Sequence, residues 1–285
     1  MLLLSLKSYA TQPPISSTVA TMAFYVGALF AIENLLKYLL GLEDVIGLHP
    51  ILEIEVNRRA LSRHLGVDLV SCLVVSYFGI SGRHHLKEMR DRFWDRKAPI
   101  SSYQSRMLVY IPDTHRLCAA FTAYQIKNFY DSWMWDDGVE FLVHHVLGGL
   151  AAWVGMYPGV AHVYGVFFMG ISEISTTVLV VLSNFDDKLG VIGLTEALPV
   201  ARAAIAALFT VTFVVCRIII WPFLAMYFIQ DTQDAMRNFD DKTAKSKLKI
   251  LKVECVILVL LTVLQFLWLG QIFVMGNEEI RKMLA

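Results

Sequence analysis

Long apolar runs separated by short polar connections dominate this chain. Five of them, 18–40, 141–157, 160–183, 203–229 and 251–275, read as spanning helices, since a helix crossing the hydrocarbon core needs about 20 mostly apolar residues. A sixth run, 65–80, is shorter, but Arg58, Arg59 and Arg63 precede it and Arg83 follows it, as at two membrane interfaces. A seventh, 107–130, is interrupted by Asp113, His115, Arg116 and Lys127. The pattern predicts an all-α fold, a multi-span transmembrane helical bundle of about 6–7 helices. The expected division is an N-terminal tail over 1–17, N-terminal transmembrane helices over 18–80, a main transmembrane domain over 81–275 and a C-terminal tail over 276–285. The apolar patch at the N-terminus is shorter than a signal-peptide core of about 7–15 residues, and Pro13-Pro14 interrupts any helix there.

Composition supports the membrane reading. The chain is 56% hydrophobic and 18% charged, with mean hydropathy +0.55, whereas soluble domains run near half apolar and about a quarter charged. With 25 basic and 25 acidic residues, it lacks the basic excess of a nucleic-acid binder. Cys72, Cys118, Cys216 and Cys255 each stand alone in apolar surroundings, without Cys-x-x-Cys spacing, so no zinc site or disulfide framework is expected. The pair His144-His145 has no His-x-x-x-His or Glu-x-x-His spacing, and no metal is expected. Glycine-rich phosphate loops and a Gly-x-Ser-x-Gly elbow are absent from the sequence.

Basic residues concentrate in two connections, 81–106 and 237–252. With seven spans both fall on one side, the cytosolic side by the positive-inside rule, together with the N-terminus. That agreement requires 107–130 to span. The pentapeptide Asn-Phe-Asp-Asp-Lys occurs at 184–188 and at 238–242, without extending into a true repeat.

Ionisable side chains cost about 2.5–3.5 kcal/mol in the membrane on insertion scales, so those that persist mark interior sites. Glu140 and His144 share one helix face, with Gly148 and Gly149 a turn beyond His144 and His145. Small residues there admit a neighbouring helix or a ligand chain. Adjacent residues point about 100° apart, so the two histidines have different tasks: one faces a cavity and the other bonds to a neighbouring helix. Glu173, with Thr176 and Thr177 beyond it, must be protonated or paired. His144 or His145 is its expected partner, across an antiparallel pair of helices joined at Pro158-Gly159. Arg217 lies far from either helix end and needs a carboxylate, a carbonyl or a ligand group; Pro222 follows it. Glu33 and Lys37 are expected to pair within the first span. His84-His85 sits in a basic loop and reads as surface.

The ordered set of these features resembles the TLC-domain family of TRAM, Lag and CLN proteins, and within it the TLCD-like branch. Phe93-Trp-Asp-Arg96 is similar to the segment that opens the domain, Phe129-Tyr-Asp131 to an aromatic-aromatic-Asp element, and Phe141-Leu-Val-His-His145 to the double histidine. Glu173-Ile-Ser-Thr176 resembles a Glu-Leu-Ser-Thr element, and Phe213-Val-Val-Cys-Arg217 with Pro222 a Phe…Arg…Pro helix. The chain departs from the ceramide synthases in having no histidine beyond His162, and so no extended His-Asp motif. Gln104, Thr177 and Val180 depart from the TLCD branch.

The resemblance implies an endomembrane protein, expected in the endoplasmic reticulum, that acts on or responds to sphingolipids or phospholipids. Two readings follow. In an acyltransferase using acyl-CoA, His144 or His145 would be the general base, with Asp131 or Glu173 orienting it. Arg217 would hold a phosphate or polarise a carbonyl, and Gly148, Gly149, Thr176 and Thr177 would line the lipid-binding space. In a non-enzymatic lipid regulator or trafficking adaptor, the same cavity recognises a headgroup. A transporter would rest only on the buried charges, without an inverted repeat. The expected partners are membrane lipids, acyl-CoA as a candidate co-substrate, and homo- or hetero-oligomers in the membrane. No resident cofactor is expected.

Overall fold

Proline and glycine mark where the helices begin and stop. In the computed structural model, which describes residues 12–186, 188–238 and 249–284, α1 (Ile15–Leu40) starts after Pro14 and stops at Gly41. Two later long helices, α3 (Pro112–Trp135) and α6 (Pro199–Asn238), carry proline at their first position, where a missing N–H costs nothing. Between them lie α4 (Val139–Met156) and α5 (His162–Ser183). The remaining long helices are α2 (Glu55–Trp94) and α7 (Ile250–Leu284). Asp136 in the left-handed region (φ 55°) and Gly138 (φ 123°) make the tight link from α3 to α4. No strand occurs among the described residues, as the apolar pattern predicts. Asn184, which opens the first copy of the pentapeptide, follows the last residue of α5, and Asn238, which opens the second, ends α6. Residue 187, the rest of the second copy, most of the basic connection 237–252, residues 1–11 of the tail and the last residue lie outside the described residues.

Six helices are long and apolar enough to cross a membrane. The seventh, α3, is too polar for that criterion, yet 14 of its 24 residues are buried. Lys127 and Asp131 of this helix meet protein, which is how charge is tolerated inside a membrane bundle, while Asp113 and Arg116 pair on its exposed first turns. Lys127, fully buried, bonds Asp131 (2.5 Å) and Glu33 of α1 (2.8 Å), and lies 4.5 Å from the Phe30 ring. Glu33 therefore pairs across helices with Lys127, not with Lys37 as the i,i+4 spacing suggests; the buried ammonium lacks water and takes both carboxylates.

Helices pack as a ring in the order α2, α3, α4, α7, α6, α5 and back to α2, with α1 outside against α2 and α3. The α4 helix thus packs chiefly on α3 and α7, and α5 on α2 and α6 with further contact to α3. The expected neighbours α4 and α5 meet at the first turn of α5, beside their short link. A division after residue 80 falls inside α2, which continues to Trp94 as a ring helix.

Hydrogen bonds between connections fix the two ends of the ring. At one end Arg106 meets Asp231 (2.6 Å), Arg92 donates to Tyr227 (3.2 Å) and Thr18 contacts His115 (3.2 Å). The other end joins Asn57 to Ile192 (2.8 and 3.0 Å), His64 to Asn184 (3.1 Å) and Arg63 to Asp137. The first end carries Arg83, Lys87, Arg90, Arg92, Arg96 and Lys97 together with Glu88, Asp91 and Asp95. The second carries Glu43, Asp44, Glu53, Asp136 and Glu196 together with Arg58, Arg59 and Lys188. Basic residues predominate at the first end and acidic ones at the second, without full segregation.

One seam of the ring has no side chains in it. A Cβ added to Gly79 of α2 would lie 2.5 Å from the backbone nitrogen of Ile171, and one on Gly170 of α5 would lie 2.5 Å from Cα of Gly79. Gly79→Ala and Gly170→Ala are each expected to cost about 1–3 kcal/mol, because backbone cannot yield as a side chain can. Gly27→Ala, where nothing lies within 4 Å, should leave the unfolding midpoint in detergent unchanged or slightly raised.

Candidate functional site

Three of the ring helices change their winding for one stretch, with π-helical turns at His64–Leu69, Val166–Ile171 and Val214–Ile220. Such turns are rare, and they rotate the side chains that follow relative to a straight helix. The second and third flank one buried cavity, placing Phe168 and Met169 in its wall from α5 and Arg217 from α6. Helix α4 adds His144 and Gly148; α7 adds Glu254 and Leu258; Trp221 and Phe121 close the sides. The cavity holds about 20 Å³, room for one water-sized group.

Arg217 is held by three hydrogen bonds and an aromatic ring. Its Nη2 donates to Glu173 Oε1 (2.6 Å) and Thr176 Oγ1 (2.9 Å), its Nε to Ser175 Oγ (3.3 Å), and its guanidinium lies 5.2 Å from the Trp221 ring centre. Glu173 thus pairs with Arg217, not with a histidine. The reason is ring order: α5 packs on α6 at this level, and a planar guanidinium presents several donors to one carboxylate and two hydroxyls. Thr177 bonds its own helix, donating to the Glu173 carbonyl (2.9 Å).

The two histidines separate as the 100° step dictates. Nδ1 of His145 meets Oε1 of Gln125 on α3 at 2.7 Å. His144 turns to the cavity, edge-on to Trp268 (5.1 Å), and its Nδ1 has no hydrogen-bond partner among the described residues. Gly148 and Gly149 admit Gln125, 3.4 and 3.6 Å from their added Cβ positions, so a neighbouring helix takes the space; Gly148 also touches the cavity. Asp131 belongs elsewhere. It stands six residues beyond Gln125 on α3, about 9 Å along the axis at 1.5 Å per residue, and Lys127 holds both its oxygens at 2.5 Å. It clamps α1 to the ring and does not reach His145 as an orienting carboxylate.

Glu254 escaped the sequence reading. It is 6% exposed, and Oε2 has no hydrogen-bond partner among the described residues. The stripe Leu251, Glu254, Leu258, Leu261 and Gln265 is the buried face of α7. Its helical spacing was the available signal. No group of three or more metal-binding side chains occurs among the described residues.

A family model for the TLC domain (TRAM/LAG1/CLN8) matches residues 63–274. The chain belongs to the TLC-domain family. No curated protein and no solved structure matches it. The match begins at the π-helical turn of α2 and ends in α7, so it covers the six ring helices and leaves α1 outside. The chain is thus a TLC-domain membrane protein with its cavity inside the domain.

Replacing Arg217 by Met strands Glu173 in a buried site, and a loss of about 3–5 kcal/mol is expected. Combining it with Glu173→Leu should recover most of that loss. Unfolding midpoints of the two single variants and the double variant in detergent check this; a double variant as unstable as the sum of the singles contradicts it.

Proposed function

We propose that this TLC-domain protein handles membrane lipids in lipid metabolism or lipid homeostasis, and that His144 meets the polar part of a lipid in the ring's cavity. The observation carrying this reading is the unpartnered imidazole nitrogen of His144, held in an enclosed cavity bounded by five ring helices. Burying such a group without a partner costs free energy, and a ligand group recovers it. The remaining walls, among them Leu258, Phe168 and Trp221, are apolar, so a small polar ligand group there would meet few competing contacts. An acyl-CoA-dependent acyltransferase, ceramide-synthase-like, is the second reading. It is favoured by one observation: the basic hollow lined by Arg83, His84, Lys87 and Arg90 at the basic end, a surface suited to phosphates. In that reading His144 is the general base, since His145 is committed to Gln125.

The basic end faces the cytosol in this proposal, and the membrane is that of the endoplasmic reticulum or a related compartment. Acceptor sites for N-glycosylation engineered near Glu43 or Glu196 should be modified, and one near Arg96 should not. The reverse pattern inverts the orientation.

Untargeted lipidomics on cells lacking the protein tests the site. Wild type should restore the altered lipid class, and His144→Ala should restore less than about a tenth of it at equal expression. His145→Ala should act mainly through lowered stability, by about 1–3 kcal/mol from the stranded Gln125. Full rescue by His144→Ala rejects the site.

A further inference from the structure

We propose that Glu254 is the second ligand-contacting residue of the cavity, and that with His144 it selects a lipid bearing an uncharged hydroxyl or amide over one bearing a phosphate. This rests on the reading that the cavity is the lipid site.

Three observations converge. First, the cavity has two unsatisfied polar atoms facing it from different helices, Nδ1 of His144 on α4 and Oε2 of Glu254 on α7. A carboxyl group so enclosed must carry its own proton or meet a donor from a ligand. Glu254 makes no ion pair among the described residues, and its helix face is otherwise Leu251, Leu258 and Leu261.

Second, Arg217 is the one lysine or arginine in the cavity wall, and it is already neutralised. Glu173 takes its charge, and Ser175 and Thr176 take further donors. A phosphate entering here would meet the carboxyl group of Glu254 and a guanidinium whose charge Glu173 already balances. Binding it through Arg217 would require breaking the Glu173 pair.

Third, size agrees with charge. About 20 Å³ accommodates a group the size of a water molecule, which a hydroxyl is and a phosphate is not. His144 and Glu254 lie toward opposite ends of the cavity, since His144 packs on Trp268, 14 residues beyond Glu254 on α7. A hydroxyl is small enough to meet either one, donating to Nδ1 of His144 or accepting from the acid proton of Glu254.

The experiment uses full-length protein in nanodiscs and two photoactivatable, alkyne-tagged probes: diacylglycerol, with a free hydroxyl, and phosphatidic acid, with a phosphate at the same position. Labelled peptides are mapped to α4, α6 and α7. Wild type should be labelled there by the diacylglycerol probe at least about tenfold more than by the phosphatidic acid probe, about one hydrogen bond to a charged or acid group. Glu254→Gln keeps a donor and an acceptor and should retain diacylglycerol labelling within about twofold; Glu254→Leu should lose about tenfold.

Equal labelling of the ring peptides by both probes overturns the selectivity while leaving the cavity as the lipid site. Undiminished labelling of Glu254→Leu overturns the role of Glu254 in the same way. Labelling of neither probe within the ring overturns the lipid-site reading itself and this inference with it. If Glu254→Leu does not fold, the wild-type probe ratio still decides the selectivity, and Glu254→Gln decides whether the carboxyl is needed only as a hydrogen-bonding group.

Discussion

A guanidinium far from either end of a membrane helix can only turn inward, and the pairing of Arg217 with Glu173 organises what surrounds it. The π-helical turn at Val214–Ile220 aims the side chain, the one at Val166–Ile171 positions the segment that receives it, and the hydroxyls of Ser175 and Thr176 take two more of its donors. A buried pair of this kind adds little net stability over apolar packing, but breaking it is expensive. Its effect is on arrangement: it fixes α6 against α5 in one register and leaves the cavity's remaining polar groups, His144 and Glu254, as the ones free to meet a ligand.

The second buried charge cluster has a different task. Lys127, Asp131 and Glu33 join α1 to α3 outside the cavity, with aromatic rings of α1 and α3 over the ammonium. The two clusters explain how a chain with no net charge keeps ionisable residues at membrane depth: each cation has its carboxylate within 2.8 Å. The basic excess at one end and the acidic excess at the other are then properties of the helix ends and loops, separate from the paired charges between them.

Much of this was legible in the sequence, and the failures have physical causes. The apolar runs gave the long helices, because twenty apolar residues have few other stable uses. The double histidine stood out against its run, and the 100° step divided the roles of its two members. Hydropathy undervalued α3, because the rule assumes lipid as the neighbour and α3 has protein. Partners were harder: Glu173 lies nearer in sequence to the histidines than to Arg217, 44 residues away, and only the ring order, which no local pattern encodes, decides for the arginine. Asp131 matched a motif by residue type, but axial rise along α3 carries it away from His145. Glu254 follows Lys249 and Lys252 at the start of its run, so it reads as an interfacial flank until the buried stripe of α7 is traced.

The glycine seam between α2 and α5 divides the ring mechanically. Where Gly79 and Gly170 bring two backbones into contact, there is no rotamer to change and no side chain to swing aside, so separation there exposes bare peptide groups to hydrocarbon. Opposite it, α7 meets α4 and α6 through flexible side chains such as Leu258 and Trp268, which can repack. The ring therefore has one seam closed by backbone and another closed by side chains. For the lipid ligand proposed above, the side-chain seam along α7 is the path that would let an acyl tail stay in the hydrocarbon throughout.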